Sequence, residues 1–583
     1  MYTPETLSSS LSTKFDYVVV GGGTTGLLVA ARLTENPDIQ VAVLEAGGSK
    51  AEDPNVDRPE RSANTLHNPE YDWTFRSTPQ TGNNDRVHHV PRGRMLGGSS
   101  GINFMAYIRP AAEDIDLWEK MGNKGWSWGE LMPYYLKSER FYGTDDKGGC
   151  PEGSVCEKPV CSHGGSGPIV TSFPPGKPSI EVRMVAAFDE TSGSLRAEDP
   201  YGGKPLGLYD HVSTIDPDTG TRSYAASAFL RPHEGWDNLK VLSEATVCKI
   251  LHDQDTGTAT GVEFLYQGTL HRIFPSEEII LAAGSIQTPQ ILELSGIGDP
   301  KVLQAAGIPC TKAIPDVGNN LCEHPMTSLT YALNEEPSTH SGVSMIAFLP
   351  YRSLVSNGEL EEMVAQVERV ASLSEIERQA IVSRLRDPKS GAVQFNGTSA
   401  YVDVEKGFAD RSKLFRDTSD HEYTYYTFLV TIASTLSRGS THITSSDPHT
   451  APAIDLGLLC EEADVSLLAA GLELADRVFS SGHVSERVVS RAVPPTNVDL
   501  RDRDGVRHFV RDWTTSFNHI LGTCAMGRVV DERLRVKGMS SLRIVDASVI
   551  PTQISGNVLA TVYAVAEKAA DLIKEDLDKG NAA

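Results

Sequence analysis

Three glycines and a glutamate near the start of the chain have the types and spacing to hold a dinucleotide. Gly21-x-Gly23-x-x-Gly26 is followed, 19 residues past Gly26, by Glu45. In such a turn the first glycine permits the tight bend and the second lets backbone approach a pyrophosphate. The third lets a helix pack on a strand. A helix opening at Thr24 and Thr25 presents unpaired N–H groups and a partial positive charge to phosphate oxygens. Glu45 has the chemistry to accept from a ribose 2′-hydroxyl and to repel a 2′-phosphate, which disfavours NADP. The motif alone does not separate FAD from NAD, and a glycine turn beside a structural glutamate is its plainer reading.

The elements needed to position these residues fall in register. Phe15–Val20 is a β-branched run ended by glycine, as a buried parallel strand should be. A helix is predicted from about Thr25 to Glu35 and a second strand over Val41–Leu44. Further strands are predicted at 239–242, 247–251, 261–266, 278–281 and 542–545, with helices at 127–140, from Pro289, and over 557–574. Residues 68–109 read as extended loop, and 143–178 as a Gly/Pro/Cys-rich insertion. Two amphipathic helices fill 358–387, the second opened by a Ser374/Glu377 capping box.

At 583 residues the chain exceeds the ~250–300 residues at which single cores tend to split, so two domains are expected. A formal charge of −24 argues against nucleic acid or an anionic membrane as partner. No apolar run approaches the ~20 residues that span a bilayer. No signal peptide is visible, so the expectation is a cytoplasmic protein, or a secreted one whose leader has been removed. The sequon at Asn396 matters only in the second case. Cys150, Cys156 and Cys161, with His163 behind them, fit no common zinc spacing, so no metal site is expected.

Three further segments carry a resemblance. They are Pro91-Arg92-Gly93-Arg94-Met95-Leu96-Gly97-Gly98-Ser99-Ser100-Gly101-Ile102-Asn103; Gly284-Ser285-Ile286-Gln287-Thr288-Pro289 with Ser295-Gly296-Ile297-Gly298; and His519-Ile520-Leu521-Gly522-Thr523-Cys524-Ala525-Met526-Gly527 continuing through Asp546-Ala547-Ser548 to Asn557. Ordered over residues 15 to 574, they resemble the glucose–methanol–choline (GMC) family of FAD-dependent oxidoreductases, fungal alcohol oxidase and dehydrogenase members above all.

The resemblance implies an α/β fold in which a Rossmann-like FAD-binding domain (14–110, 222–325 and 510–583) is interleaved with a substrate domain of antiparallel sheet plus helices (111–221 and 326–509). It places Arg92, Gly97, Gly98 and Ser99 along the cofactor diphosphate and ribityl chain, with Ala283, Gly284, Asp546 and Ala547. Asn103, Phe104, Met105 and Ala106 would line the flavin ring, Val247 would hold the adenine through its backbone, and Val558 would follow the second active-site position. Some members tether FAD through a histidine in the glycine loop. The matching position here is Ile102, so non-covalent FAD is expected.

His519 matches the family's catalytic histidine. Taking hydride from an alcohol carbon requires removal of the hydroxyl proton, and a histidine of ordinary pKa ~6.5 suits that task. Asn557 matches the second position. An amide cannot act as a base but can donate to the substrate oxygen; as the opener of a helix it is equally suited to N-capping. The expected reaction is oxidation of an alcohol, aryl or secondary-metabolite, to an aldehyde, ketone or lactone, with dioxygen or a quinone-like acceptor. The alternative is a non-redox lyase or cyclase that keeps FAD for structure. The expected state is a monomer or homodimer. Aromatic residues at 423–428 suggest either an aryl-binding wall or a strand core.

Overall fold

The run Tyr17–Val20 is buried at every position, as an apolar strand without alternation must be when both sheet faces are covered. In the computed structural model it is the middle of five parallel strands. Their spatial order is Leu239–Leu242, Val41–Leu44, Tyr17–Val20, Glu278–Leu281, Leu542–Ile544. The chain builds outward on one side for three strands and then returns to the other side of the first. That reversal opens a crevice beyond the carboxyl ends of Tyr17–Val20 and Glu278–Leu281. The structure describes residues 14–143, 162–174, 179–193, 195–335, 343–418 and 422–581. The predicted cysteine cluster at 150, 156 and 161 lies outside them.

The helix Gly26–Thr34 buries eight of its nine residues, so it is a core helix rather than a surface one. Its exception, Arg32, donates to both carboxylate oxygens of Glu567 on the last helix, Leu559–Asn581. The two ends of the described chain are thereby knitted over one sheet face. A three-stranded antiparallel sheet, Ala245–His252, Ala259–Tyr266 and Thr269–Ile273, is inserted between the third and fourth parallel strands.

A second, antiparallel sheet is ordered Val343–Leu349, Val393–Thr398, Thr424–Ile432, Pro325–Leu333, Val488–Val493, with Thr515–Ser516 pairing to the start of Pro325–Leu333. The helix Glu462–Val478 packs on it so closely that a Cβ on Gly471 would meet Val430 Cγ1 at 2.4 Å. Tyr426 and Phe428 are fully buried in this second core. Of the aromatic run at 423–428, Tyr426 and Phe428 are therefore strand core, while Tyr425 is half-buried against Tyr401. Trp118, Trp126 and Tyr135, from the segment between the first glycine loops and the second sheet, pack instead with the core of the parallel sheet.

The predicted start of a helix at Pro289 needs correction. The helix spans Gly284–Leu294 with the proline inside it. A mid-helix proline frees the carbonyl four residues earlier. Here that carbonyl, of Ser285, accepts from Thr523 Oγ1 at 2.7 Å, while Ser285 Oγ donates to the Ile520 carbonyl at 2.9 Å. The break in the helix ladder is thus repaired by the loop that carries His519. The last helix also begins later than predicted, at Leu559, so Asn557 precedes its N-cap position and does not serve as one. Residues 68–109 are mostly extended, punctuated by the short strands Phe75–Arg76, His89–Val90 and Ala106–Tyr107. The two helices Asn357–Arg369 and Glu375–Arg386 form as predicted, and the Ser374/Glu377 capping box is present.

Candidate active site

The glycine turn after Tyr17–Val20 has no room for side chains. A Cβ on Gly21, whose φ is +102°, would lie 2.5 Å from the Ala282 carbonyl oxygen, and one on Gly26 would lie 1.9 Å from that of Gly21. The second glycine loop folds directly onto the first, with the Gly97 N–H donating to the Gly22 carbonyl at 2.8 Å. No side chain caps the helix that starts at Gly26; the Leu27 N–H donates to the Gly23 carbonyl at 3.3 Å, and the helix start otherwise faces a ligand site. Glu45 is buried, and its carboxylate accepts from the backbone N–H of Gly22 at 2.8 Å and of Gly47 at 2.7 Å. Burial pushes its pKa up to about 7. The glutamate therefore pins two turns together as well as facing the crevice.

From this crevice a cavity of about 1060 Å³ continues toward the antiparallel sheet. That exceeds the ~300–1,000 Å³ usual for one small molecule, leaving room for a dinucleotide and part of a second ligand. Of the residues singled out from the sequence, all but Gly26 and Gly97 line it. Those two act behind the wall, as close-packed turn positions. The glycine cradle, the uncapped helix start and the buried acid fit a dinucleotide such as FAD. Asp546 is buried and organises the far side, accepting from the Gly284 N–H at 3.0 Å, Thr288 Oγ1 at 2.6 Å and the Ser548 N–H at 2.8 Å. Ile102 is buried and lines the cavity without a nucleophilic atom.

His519 lies where two distant segments pair. The backbones of Cys322 and Leu521 exchange hydrogen bonds of 3.0 and 3.1 Å, and the Phe517 N–H donates to the His324 carbonyl at 2.9 Å. This brings His324 Nδ1 within 2.9 Å of His519 Nδ1. On the other side, Asn557 Nδ2 donates to His519 Nε2 at 3.1 Å. With the amide so oriented, Nε2 holds a lone pair and the ring proton sits on Nδ1, donated to His324 Nδ1. His324 then carries its own proton on Nε2, which has no hydrogen-bond partner among the described residues although the backbone of Ala433 and Ile554 favours positive charge there. The Asn557 carbonyl oxygen has no partner among the described residues.

Electrostatics keep this imidazole neutral. Burial, then His324, then Arg92 hold His519 well below the usual histidine value. Burial likewise takes His324 down to about 4. Beneath them Glu323 Oε1 accepts from the N–H of His519 at 2.9 Å and of His324 at 2.8 Å, its own pKa raised by burial to about 6. Asn557 is held through its neighbour Ser555, whose N–H and hydroxyl both donate to Asp114. A neutral imidazole with a lone pair beside the cavity can accept a proton, and an adjacent amide can orient an oxygen.

Glu323 and His324 were missed by reasoning from sequence. They lie almost 200 residues from His519, and a Glu-His pair before a proline carries no spacing signal of its own. Among the described residues, no group of three or more His, Cys, Asp or Glu is placed to hold a metal ion, and no helix is long and apolar enough to cross a membrane.

A parallel sheet with a glycine cradle at its reversal point, opening onto a buried histidine, is the arrangement of a dinucleotide-binding fold. Models of the GMC oxidoreductase family match residues 15–326 and 435–566. The chain belongs to this family of FAD-dependent enzymes. It is 44% identical over 612 aligned positions to the dehydrogenase citC of Monascus ruber, covering 98% of this chain and 97% of that one. It is 31% identical to patulin synthase of Penicillium expansum, over 95% of this chain and 91% of that one. The fold matches that of an FAD-dependent oxidoreductase from Chaetomium thermophilum with a TM-score of 0.85 and 28% identity, covering 97% and 100% of the two chains.

Proposed function

We propose that the protein oxidises an alcohol to its carbonyl product, with His519 as the base and FAD held without a covalent bond. The observation that carries this reading is the placement of His519 Nε2, which faces the cavity beside Asn557 at 3.1 Å. The cofactor, when bound, supplies the hydride acceptor. Gly21, Gly23, Thr24, Thr25 and Glu45 would hold its adenosine diphosphate portion with Val247; Arg92, Gly98, Ser99, Asp546 and Ala547 would follow its linking chain; Asn103 to Ala106 would face its ring.

The chain's own residues do the rest. His519 Nε2 takes the hydroxyl proton as the carbon–hydrogen bond breaks, and Asn557 Nδ2 turns from the ring to donate to the substrate oxygen. His324 keeps the His519 proton on Nδ1, so that the nitrogen facing substrate is always the basic one. Arg92 lies close enough to depress His519 and to favour negative charge on the developing alkoxide. Burial of His519 lowers the local dielectric, which strengthens each of these interactions. The division of the chain at 110/111, 221/222, 325/326 and 509/510 into cofactor and substrate domains belongs to the same reading. Similarity to citC and patulin synthase supports a substrate drawn from fungal secondary metabolism.

The test is anaerobic mixing with alcohols while the flavin absorbance is followed. Bleaching by an alcohol is expected in the wild type. His519→Ala should bleach about 10²–10⁴-fold more slowly while keeping its flavin spectrum. Turnover without bleaching, or bleaching at the original rate in the variant, sinks the proposal. Acid denaturation should release all the yellow chromophore, since Ile102 offers no attachment point.

A further inference from the structure

Arg411, in the short turn Arg411–Lys413, lines the same cavity yet is only 2% exposed. Its Nη2 donates to the Ser516 carbonyl, three residues before the proposed base. Among the described residues, Nε and Nη1 find no acceptor. Arg92, on the same wall, spends Nη1 on the carbonyls of Pro91 and Asn518. The carboxylate whose charge reaches both guanidiniums is Glu323, and its Oε1 already serves two backbone N–H groups. Arg92 has Asp72 as a second counter-charge, whereas Glu323 is the one carboxylate whose charge reaches Arg411.

A buried guanidinium with free donors is costly until an acceptor arrives, and it is best satisfied by a charged oxygen. Leu414, Phe415 and Phe517 line the cavity with it and offer apolar contact to the body of a ligand. A neutral polyol would offer the unpartnered Arg411 donors no charged oxygen. We propose that Arg411 receives an anionic oxygen of the substrate, so that the alcohol oxidised here also carries a carboxylate or an acidic phenol or enol. This rests on the alcohol-oxidation reading for the other end of the substrate.

The experiment is equilibrium titration of the holoenzyme at neutral pH with benzoate and benzamide, followed by the flavin difference spectrum. Wild type should bind benzoate about tenfold tighter or more. Arg411→Met should bring the two ligands to within about threefold, and Arg411→Lys should retain part of the preference. A parallel pair, 4-nitrophenolate and 4-nitroanisole, separates the two sources of anion: the larger preference identifies carboxylate or phenolate. Equal binding of benzoate and benzamide by wild type overturns the proposal. So does an unchanged benzoate preference in Arg411→Met. If the Met variant does not fold, the wild-type ratio and the Lys variant still decide. Because binding is read without turnover, failure here is distinct from failure of the oxidation reading, which shows as no bleaching with any alcohol.

Discussion

His519 is poised by what surrounds it rather than by its own chemistry. Its depressed pKa keeps the proposed base free at neutral pH, so kcat/KM should be flat through neutrality and fall only on an acid limb lying below the ordinary histidine value of ~6.5. Placing a carboxylate beside Nε2 by Asn557→Asp should move that limb upward by about one unit or more, because an opposite charge favours the imidazolium. A pH–rate profile of the two proteins checks this; coincident limbs would show that another group controls the rate. The same depression is a stability term. The folded form that excludes the proton is favoured above the unfolded pKa and loses that advantage as pH falls toward the depressed folded value.

His324→Asn tests the tautomer argument. An Asn side chain can donate to Nδ1 and drive the proton onto Nε2, blocking the base. A fall in kcat of about 10²-fold or more, with flavin content and substrate KM retained, is expected; a kcat close to wild type would place the proton elsewhere. His519 and Asn557 could be picked out of the sequence only because the residues around them resemble a family. His324 and Arg411 could not, since neither sits in a recognisable spacing. Their significance arises from burial and from partners that only the folded chain supplies.

At the scale of elements, the strand, glycine turn, helix and second strand of the dinucleotide unit were legible because periodicity and punctuation agreed. Glu278–Leu281 was predicted to the residue for the same reason. The start of the helix at Gly284 was not, since Pro289 reads locally as the first turn of a helix. The compensating hydroxyl of Thr523 lies 238 residues from Ser285. Thr523→Val should leave the Ser285 carbonyl without that bond at a cost of about 1–3 kcal/mol, measurable by denaturant unfolding of the holoenzyme. No change in the midpoint would mean the carbonyl finds another partner. In the turn itself, Gly21→Ala combines a positive φ with a Cβ 2.5 Å from the Ala282 oxygen. The purified variant should carry little or no flavin, read from its visible-to-ultraviolet absorbance ratio; full occupancy would show that the two strands can part.

At the scale of the whole molecule, single residues hold the two sheets and the active site together. Asp114, almost fully buried, takes the Arg384 guanidinium on one oxygen and the Ser555 N–H and hydroxyl on the other. Removing one partner of such a pair strands the other, so Asp114→Ala should lose about 3–5 kcal/mol of stability. It should also lower kcat through the slackened turn that ends at Asn557. Thermal unfolding and steady-state rates test this, and an unaltered kcat in the folded variant would show that the turn is fixed by other contacts. Two cores were expected from length alone. Their membership was not, because Trp118, Trp126 and Tyr135 leave their sequence neighbours to pack under the parallel sheet.

The order of the five parallel strands also sets a timetable. The glycine cradle is translated first, yet its sheet gains a neighbour on the far side only with Glu278–Leu281 and its edge only with Leu542–Ile544. At about 5–20 residues per second, roughly 25 to 100 seconds separate synthesis of the cradle from that of its last strand. Throughout that interval the ribosome-bound chain exposes half of a nucleotide site that cannot close. The complete sheet is consequently a late product of synthesis, and a chain arrested before its final strand carries the recognisable motif in an unfinished crevice.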